Sequence, residues 1–107
     1  MIRKLEYEDF EAASVVLWKS FYQAEKNNHT INGMERFRDL VSPVSLSMNT
    51  FDGKFELFGY FQDGELIGVG ALKEKKHILL LYVLKEKQGL GFGKKLLFYM
   101  EGRCIGE

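Results

Sequence analysis

The clearest chemical pattern in this chain is a set of three glycines, Gly89, Gly91 and Gly93, which alternate with apolar residues just before a helical pattern. They follow an apolar run from His77 to Val83 and a short polar stretch. A strand, glycine loop and helix in this order make an anion site, because the loop N–H groups and the unpaired N–H groups of the first helical turn point the same way. Glycine lets a phosphate approach the main chain closely and adopts positive φ at little cost. Each N–H donated to a charged oxygen is worth about 1.5–3 kcal/mol, so this stretch predicts a phosphate-binding loop.

The spacing of these residues excludes two better-known phosphate loops. A P-loop requires GxxxxGK[ST], but Gln88 stands five positions before Gly93, and Lys95 rather than Ser or Thr follows Lys94. A dinucleotide-binding fingerprint requires GxGxxG and an acidic residue about twenty positions later. Here the glycines are spaced GxGxG and no acid stands at that distance. The predicted loop therefore belongs to neither class.

The strand, loop and helix resemble the acetyl-CoA-binding segment of the GNAT family of N-acetyltransferases. The family signature, [QR]-x-x-G-x-[GA] after a hydrophobic strand, is filled by Gln88, Gly91 and Gly93, and Val83 and Glu101 extend the match. The resemblance implies an α+β fold with sandwich-like layers and a mostly antiparallel sheet. It also implies an enzyme that takes acetyl-CoA as cosubstrate and transfers the acetyl group directly to an amine, whose identity the sequence does not indicate.

The resemblance also implies which residues would hold acetyl-CoA. The pantetheine arm would pair with the backbone of the fourth strand, and the pyrophosphate would lie on the loop. The residues assigned to acetyl-CoA binding in this way are Leu81, Tyr82, Val83, Gln88, Gly89, Leu90, Gly91, Phe92, Gly93 and Lys94. Lysines on both sides of the loop would attract the phosphates of CoA. Two of them, Lys85 and Lys87, replace the proline and aromatic residue of many family members.

No catalytic residue is identified by the sequence, and two weak candidates stay open. Tyr82 either faces the cleft or packs in the core. His29 lies in the loop between the first two helices, where the family places its acceptor-binding lid. His77 has a suitable reference pKa for a base, but a partly buried structural histidine is the preferred interpretation. The tyrosine that protonates the leaving thiolate in the family lies after a fifth strand that we expect to be missing, and no metal site is predicted.

Composition limits the class of protein. The chain has 107 residues with 15 basic and 15 acidic side chains, 46% hydrophobic residues and a single cysteine, Cys104. This length predicts one domain spanning residues 1–107. The zero net charge argues against nucleic-acid or membrane binding. No apolar run is long enough to span a bilayer, and one cysteine cannot form an internal disulfide, so we expect a cytoplasmic protein.

The elements that must position the loop follow from hydrophobic periodicity and turn signals. Asp63-Gly64 is a hairpin turn, and Ser42-Pro43 breaks or restarts a helix. The predicted order is β-α-α-β-β-β-α, with strands at Met1–Tyr7, Phe55–Gln62, Leu66–Lys73 and His77–Val83, helices at Glu8–Lys26 and Gly33–Val41, and a last helix after the loop.

This order matches the GNAT fold up to the helix after the loop, and we expect the last third of the family fold to be absent. Two functions therefore stay open: an acetyltransferase, or a truncated and catalytically inactive module that binds CoA or dimerises. We expect weak or absent turnover. We also expect residues 77–84 to form an exposed sheet edge through which two copies associate as a homodimer. The alternative is a tail around Cys104 and Ile105 that folds back as a short fifth strand.

Overall fold

The computed structural model describes residues 1–104. Within this range the strands are β1 (Ile2–Lys4), β2 (Phe55–Gln62), β3 (Glu65–Lys73) and β4 (His77–Val83), and the helices are α1 (Phe10–Glu25), α2 (Ile31–Leu40), α3 (Pro43–Phe51) and α4 (Phe92–Glu101). Short 3-10 turns at Tyr7–Asp9 and Lys85–Lys87 precede α1 and follow β4. None of the helices in this described part is long and apolar enough to cross a membrane.

The strands form one sheet in the order β1-β2-β3-β4, and each neighbouring pair is antiparallel. The predicted α+β fold with an antiparallel sheet is thereby confirmed. The β2–β3 hairpin turns at Asp63-Gly64, where both residues have positive φ, 54° and 82°. Positive φ at both central positions is the geometry that matches the twist of a tight hairpin.

The structure has a helix, α3, that the predicted order lacks. Thr30 caps α2 by accepting a hydrogen bond from the Gly33 N–H at 3.0 Å, so α2 begins at Ile31 rather than Gly33. The Ser42 hydroxyl then accepts from the Ser45 N–H at 3.2 Å, with Pro43 at the first helical position of α3. Proline lacks an N–H that this position does not need, so a new helix begins there and the predicted order gains α3.

Helices cover both faces of the sheet. On one face α1 packs on β3 and β4, and α3 packs on α1 and β2. The core of this layer is formed by side chains from the helices and from alternate strand positions, among them Phe10, Leu17, Leu46, Ile67 and Leu80. On the other face α4 packs on β2, β3 and β4 around a second cluster of Phe58, Leu72, Leu96 and Met100. The two layers hold the loop between β4 and α4 in position.

The glycines of β3 serve helix packing. A Cβ added at Gly70 would overlap the Met100 sulfur of α4, and one at Gly68 would lie 3.3 Å from the Val83 side chain and 3.7 Å from Leu96. Two glycines on one face of a strand leave room either for a ligand or for the close approach of a helix, and here α4 approaches them. The absence of side chains at these positions lets α4 lie directly on the sheet.

β4 is exposed in its first half and partly buried in its second half. His77, Ile78 and Leu79 are exposed, whereas Leu80 and Val83 are buried. A register shift leaves Leu79 without a partner on β3, because Ala71 pairs with Leu80 and Leu72 with Ile78. β4 lies at the sheet edge, and α4 covers mainly its C-terminal half. The first residues of β4 are therefore exposed to solvent.

The prediction for His77 is wrong, and the alternative of a short tail strand lies partly outside the described residues. His77 is exposed, not partly buried. Cys104 lies outside any strand, and Ile105 lies outside the described residues.

Candidate functional site

The backbone of the glycine loop is shaped by its 3-10 turn and by two left-handed glycines. Lys87 N–H donates to the Leu84 carbonyl at 2.9 Å and Gln88 N–H to the Lys85 carbonyl at 3.2 Å. Gly89 and Gly91 follow with φ of 80° and 90°, a region that L side chains rarely adopt. A Cβ built at either glycine would have no atom within 4 Å, so this face of the loop is open.

The N–H groups of residues 89–94 have no acceptor within residues 1–104. The first N–H of α4 to reach a backbone carbonyl is that of Lys95, which donates to the Gly91 carbonyl at 3.1 Å. Gly91 is the N-cap residue, and no side chain caps the helix. A helix N-terminus carries about +0.5 of an elementary charge. The six consecutive N–H groups lie at this partial positive charge, so together they make a suitable site for an anion with several oxygens.

Gln88, the first residue of the signature, forms a side-chain hydrogen bond to the end of β4. Its side-chain N–H donates to the Val83 carbonyl at 2.9 Å, across the 3-10 turn. One N–H and the carbonyl oxygen of the Gln88 amide are then left for other partners. The bond links the end of β4 to the start of the glycine loop, so this side chain helps to set the loop's conformation.

The outer edge of β4 presents backbone groups next to the loop. Leu84 N–H donates to the Ile67 carbonyl at 2.9 Å, which fixes the hydrogen-bonding phase of the strand. Because this phase alternates along an antiparallel strand, the N–H and C=O of Leu81 and Val83 point away from β3, and those of Tyr82 point towards it. The Val83 carbonyl already accepts the Gln88 side-chain N–H. Leu81 is therefore the residue of this edge whose N–H and C=O both face outward without such a bond within residues 1–104.

Lysine side chains place positive charge around the glycine loop. Lys85, Lys94 and Lys95 are exposed and Lys87 is half-buried. Within the described part of the chain none of the four forms a salt bridge. Their charge is therefore not neutralised locally and adds to the attraction of an anion towards the loop.

Tyr82 packs in an aromatic cluster rather than facing the open edge of the sheet. Its ring lies edge-on to Phe21 of α1 and Phe37 of α2, with centroids 6.2 Å and 5.8 Å away, and these two phenylalanines stack at 3.8 Å. Burial raises the pKa of the Tyr82 phenol, and the negative charge of Glu25 raises it further. The phenol is therefore held in its protonated form and is a proton donor, not a base.

His29 joins this cluster from the loop between α1 and α2. Its ring lies edge-on to Phe21 at 5.2 Å, and its Nδ1 is 3.3 Å from a carboxylate oxygen of Glu25. A carboxylate on Nδ1 orients the ring and leaves Nε2 available for proton transfer. The structure thus brings His29 and Tyr82 to the same aromatic cluster, on the α1 and α2 side of the sheet.

Sequence reasoning missed two residues near these groups. Glu25 was not singled out, although its position four residues before His29 is a helical-neighbour spacing that signals contact. Ser20 was also passed over, although a serine among the apolar positions of α1 is an anomaly that burial makes expensive. Within residues 1–104 no group of three His, Cys, Asp or Glu side chains is placed to hold a metal ion.

A model of a known protein family matches most of this chain. The model of the acetyltransferase (GNAT) domain matches residues 19–107 of this chain. No curated protein matches the chain significantly in sequence.

Solved structures share the fold over almost all of the chain. The PaiA N-acetyltransferase of Thermoplasma acidophilum, solved in complex with coenzyme A, has 28% identity and a TM-score of 0.80, and the match covers 95% of this chain and 69% of that one. A GCN5-related N-acetyltransferase of Rhodopseudomonas palustris has 19% identity and a TM-score of 0.80 over 95% and 63% of the two chains. One from Ralstonia eutropha has 19% identity and a TM-score of 0.72 over 95% and 73%. The chain thus spans between about three fifths and three quarters of these relatives' lengths.

The resemblance carried by Gln88, Gly91 and Gly93 is therefore confirmed at the level of the family. The family model covers most of the chain and the fold agrees. The chain belongs to the GNAT family of acetyltransferases.

Proposed function

We propose that this protein binds acetyl-CoA through the loop from Gln88 to Lys94 and acts as an acetyl-CoA-dependent N-acetyltransferase. The observation that carries the proposal is the run of N–H groups at residues 89–94, which have no acceptor in the described part of the chain. The pyrophosphate of CoA has the several charged oxygens that such a run requires. The coenzyme A complex of the Thermoplasma relative supports the choice of ligand.

The rest of the cosubstrate would follow the edge of β4. The outward N–H and C=O of Leu81 suit the amide groups of pantetheine, because they lie in the same direction as the Val83 carbonyl at the loop. Tyr82 would contribute through its side chain only, since its backbone groups point to β3. Exposed Leu90 and half-buried Phe92 flank the glycines and would border the ligand.

Two residues of the aromatic cluster, Tyr82 and His29, are assigned the proposed roles in catalysis. Bound acetyl-CoA supplies an acetyl thioester, which an amine nitrogen attacks while the C–S bond breaks and the thiolate takes a proton. Tyr82, whose pKa is raised, is suited to deliver a proton. His29, oriented by Glu25, is suited to accept the proton of the amine through Nε2.

Gly91→Val tests the loop assignment. A β-branched residue at φ near 90° places atoms on the open face of the loop, so we expect it to reduce CoA affinity at least about tenfold, the loss of one charge-assisted hydrogen bond. Gly53→Val is the matched control, because Gly53 has φ of 81°, is equally open and lies in the α3–β2 turn. Both variants carry backbone strain of about 1–2 kcal/mol.

Calorimetry and thermal shift with CoA give the result. The wild type and Gly53→Val should release heat and gain melting temperature, and Gly91→Val should require CoA concentrations at least about tenfold higher for the same effect. Absence of heat and shift for the wild type at millimolar CoA would show that the loop does not bind CoA.

Turnover separates an enzyme from a module that only binds CoA or dimerises. Release of free thiol from acetyl-CoA over a panel of amines at a typical enzymatic rate, about 1–1000 per second, would establish the enzyme and overturn the expectation of weak or absent turnover. We expect His29→Ala and Glu25→Gln to lower kcat while leaving CoA binding unchanged, because neither residue contacts the loop. If CoA binds and no amine is acetylated, the binding-module function is the correct one.

Two further proposals concern the whole chain. We propose that residues 1–107 form one domain, in keeping with two core clusters built on one sheet. We also propose a cytoplasmic location, which the single unpaired cysteine, Cys104, supports.

A further inference from the structure

Helix α3 presents an apolar face to solvent. Val44, Met48 and Phe51 stand at positions i, i+4 and i+7, so their side chains share one side of the helix. They are exposed by 68%, 61% and 92%. The opposite side of α3 packs on α1 and β2 and buries Leu46. The exposed side therefore takes no part in the core, and exposed apolar side chains grouped in this way mark an interaction surface.

The same side of α3 forms one wall of a groove. The groove lies between α3 and the start of α1, and its volume is about 430 Å³. Val44 and Met48 line it on the α3 side. Tyr7 and Phe10 line it on the other side, with their rings edge-on and the ring centroids 6.2 Å apart. The groove is thus apolar on both walls.

The formal charge of the groove is negative. Glu8 and Glu11 are exposed and line the groove beside the two aromatic rings. None of its lining residues is basic, and within residues 1–104 neither glutamate forms a salt bridge. Because the chain as a whole has no net charge, this charge is a local property of the groove. It favours a partner that carries positive charge.

Charge and extent together select one kind of occupant. A symmetric dimer through this face would bring Glu8 and Glu11 of both copies into one interface, where like charges oppose association. An anionic membrane surface would be repelled by the same carboxylates. A small ligand would fill only the groove, whereas exposed apolar side chains continue beyond it, to Phe51 on α3 and to Val15 one turn after Glu11 on α1. A basic polypeptide segment with apolar side chains fits all of these observations.

We propose that the groove between α3 and the start of α1 is a docking site for a basic, amphipathic segment of another protein. Apolar side chains of the segment would cover Val44, Met48 and Phe51, as a helix does when it lies in an apolar groove. Its Lys or Arg side chains would pair with Glu8 and Glu11. No residue of the glycine loop, of β4 or of the aromatic cluster lines the groove, so docking here is separate from acetyl-CoA binding.

The probe is a synthetic amphipathic helix of leucine and lysine, titrated into the full chain. One control peptide has glutamate in place of every lysine, and a second has the same composition in scrambled order. Backbone amide and side-chain methyl NMR shifts identify the residues that the peptide contacts, and the concentration dependence of these shifts gives the affinity.

Two variants alter the groove, and two matched variants alter other surfaces. Met48→Ser and the double variant Glu8→Gln/Glu11→Gln change the apolar wall and the charge. Phe98→Ser and Glu65→Gln are the controls, because Phe98 is exposed to the same degree as Met48, Glu65 is an exposed glutamate, and neither lines the groove. Since all of these side chains are exposed, the variants should keep the fold, which thermal melting checks.

The leucine-lysine peptide should bind the wild type in a saturable way, with shifts concentrated at Val44, Met48 and Glu11. Met48→Ser should weaken this binding at least about fivefold, because it removes an apolar contact. The double glutamate variant should weaken it at least about twofold, the effect expected of exposed ion pairs. The two control variants should bind as the wild type does, and both control peptides should bind more weakly.

Several results would overturn the docking site. These are absence of saturable shifts on α3 at millimolar peptide, equal affinity for the leucine-glutamate peptide, unchanged affinity of Met48→Ser, or shifts confined to another surface such as the edge of β4. Shifts at Val44 and Met48 that depend on protein concentration without peptide would assign the face to a second copy of the chain. The same shifts on addition of phosphatidylglycerol vesicles would assign it to a membrane surface.

Discussion

Single side chains tie two turns to the strands beside them, one turn after β4 and the other after β1. At the end of β4 the Gln88 amide holds the Val83 carbonyl. At the start, Arg3 of β1 forms a two-bond pair with Asp9, with Nη1 and Nη2 at 2.9 Å and 3.0 Å from its two carboxylate oxygens. The same carboxylate accepts the Glu6 N–H at 2.7 Å. The side-chain bond from Arg3 and the backbone bond from Glu6 lower the pKa of Asp9, against the opposing effect of burial.

Asp9→Asn should therefore destabilise the protein in a pH-dependent way. A carboxyl whose pKa is lowered on folding stabilises the native state above its unfolded pKa, about 3.9, and this contribution is lost as the pH falls through the folded value. We expect a loss of about 1 kcal/mol at pH 7, modest because Arg3 is partly exposed. Urea unfolding from pH 7 to pH 2 measures it.

The difference between wild type and Asp9→Asn should shrink below about pH 4. Asp39→Asn is the control, since Asp39 is exposed and forms no salt bridge within residues 1–104, and its effect at pH 7 should be smaller. A difference for Asp9→Asn that stays constant over the whole range would contradict the ion-pair explanation.

At the scale of elements, the position of α4 on the sheet determines where the loop donors point. The helix lies directly on β3 because Gly68 and Gly70 present no side chains to it. Its buried residues Leu96 and Met100 then fill the second core cluster. The N-terminus of α4, with its unpaired N–H groups, is held by this packing at the end of β4. Binding at the loop should therefore depend on a contact that lies well away from it.

Gly70→Val should displace or strain this contact. The added side chain would overlap the Met100 sulfur, so overpacking should destabilise the protein by about 1–3 kcal/mol. Met100→Ala leaves a cavity on its own, but in combination with Gly70→Val the two volume changes offset each other. Chemical unfolding of the two single variants and the double variant measures the coupling. Additive losses would show that Gly70 and Met100 do not share the space.

At the scale of the whole molecule, β4 is an edge strand of the sheet within residues 1–104. Ile78 and Leu79 are exposed at its start, and the backbone groups of Leu81 point outward. An apolar edge with unpaired N–H and C=O groups tends to pair with another strand. We propose that two copies associate symmetrically across the edge formed by residues 77–84. The pantetheine arm is proposed to use the same groups of Leu81, so the dimer and the CoA complex should compete.

Gel filtration with light scattering tests this assembly. Leu81→Pro removes an outward N–H and should yield a monomer, whereas Leu81→Val keeps the N–H and should remain a dimer. Excess CoA should shift the wild type towards the monomer. A wild type that is monomeric at high concentration would show that the edge of β4 is covered in some other way.

The sequence by itself determined the features that depend on local preferences. The bounds of β2 and β4, the turn at Asp63-Gly64, the break at Pro43 and the left-handed glycines of the loop follow from residues close together in the chain. Backbone conformation at a turn or cap is decided mainly by the residue itself and its neighbours, so it can be predicted. The family assignment rests on the same kind of local pattern.

Only the tertiary structure decided the features that depend on distant partners. Tyr82 meets Phe21 and Phe37 from two helices, and Gly70 meets Met100, none of which periodicity could pair. The exposure of the start of β4 depends on which strands flank it. That the Ser20 hydroxyl has no hydrogen-bond partner within residues 1–104 is visible only once all its neighbours are in place. Packing brings together residues far apart in the chain, and a pattern read along one segment carries no information about what that segment meets.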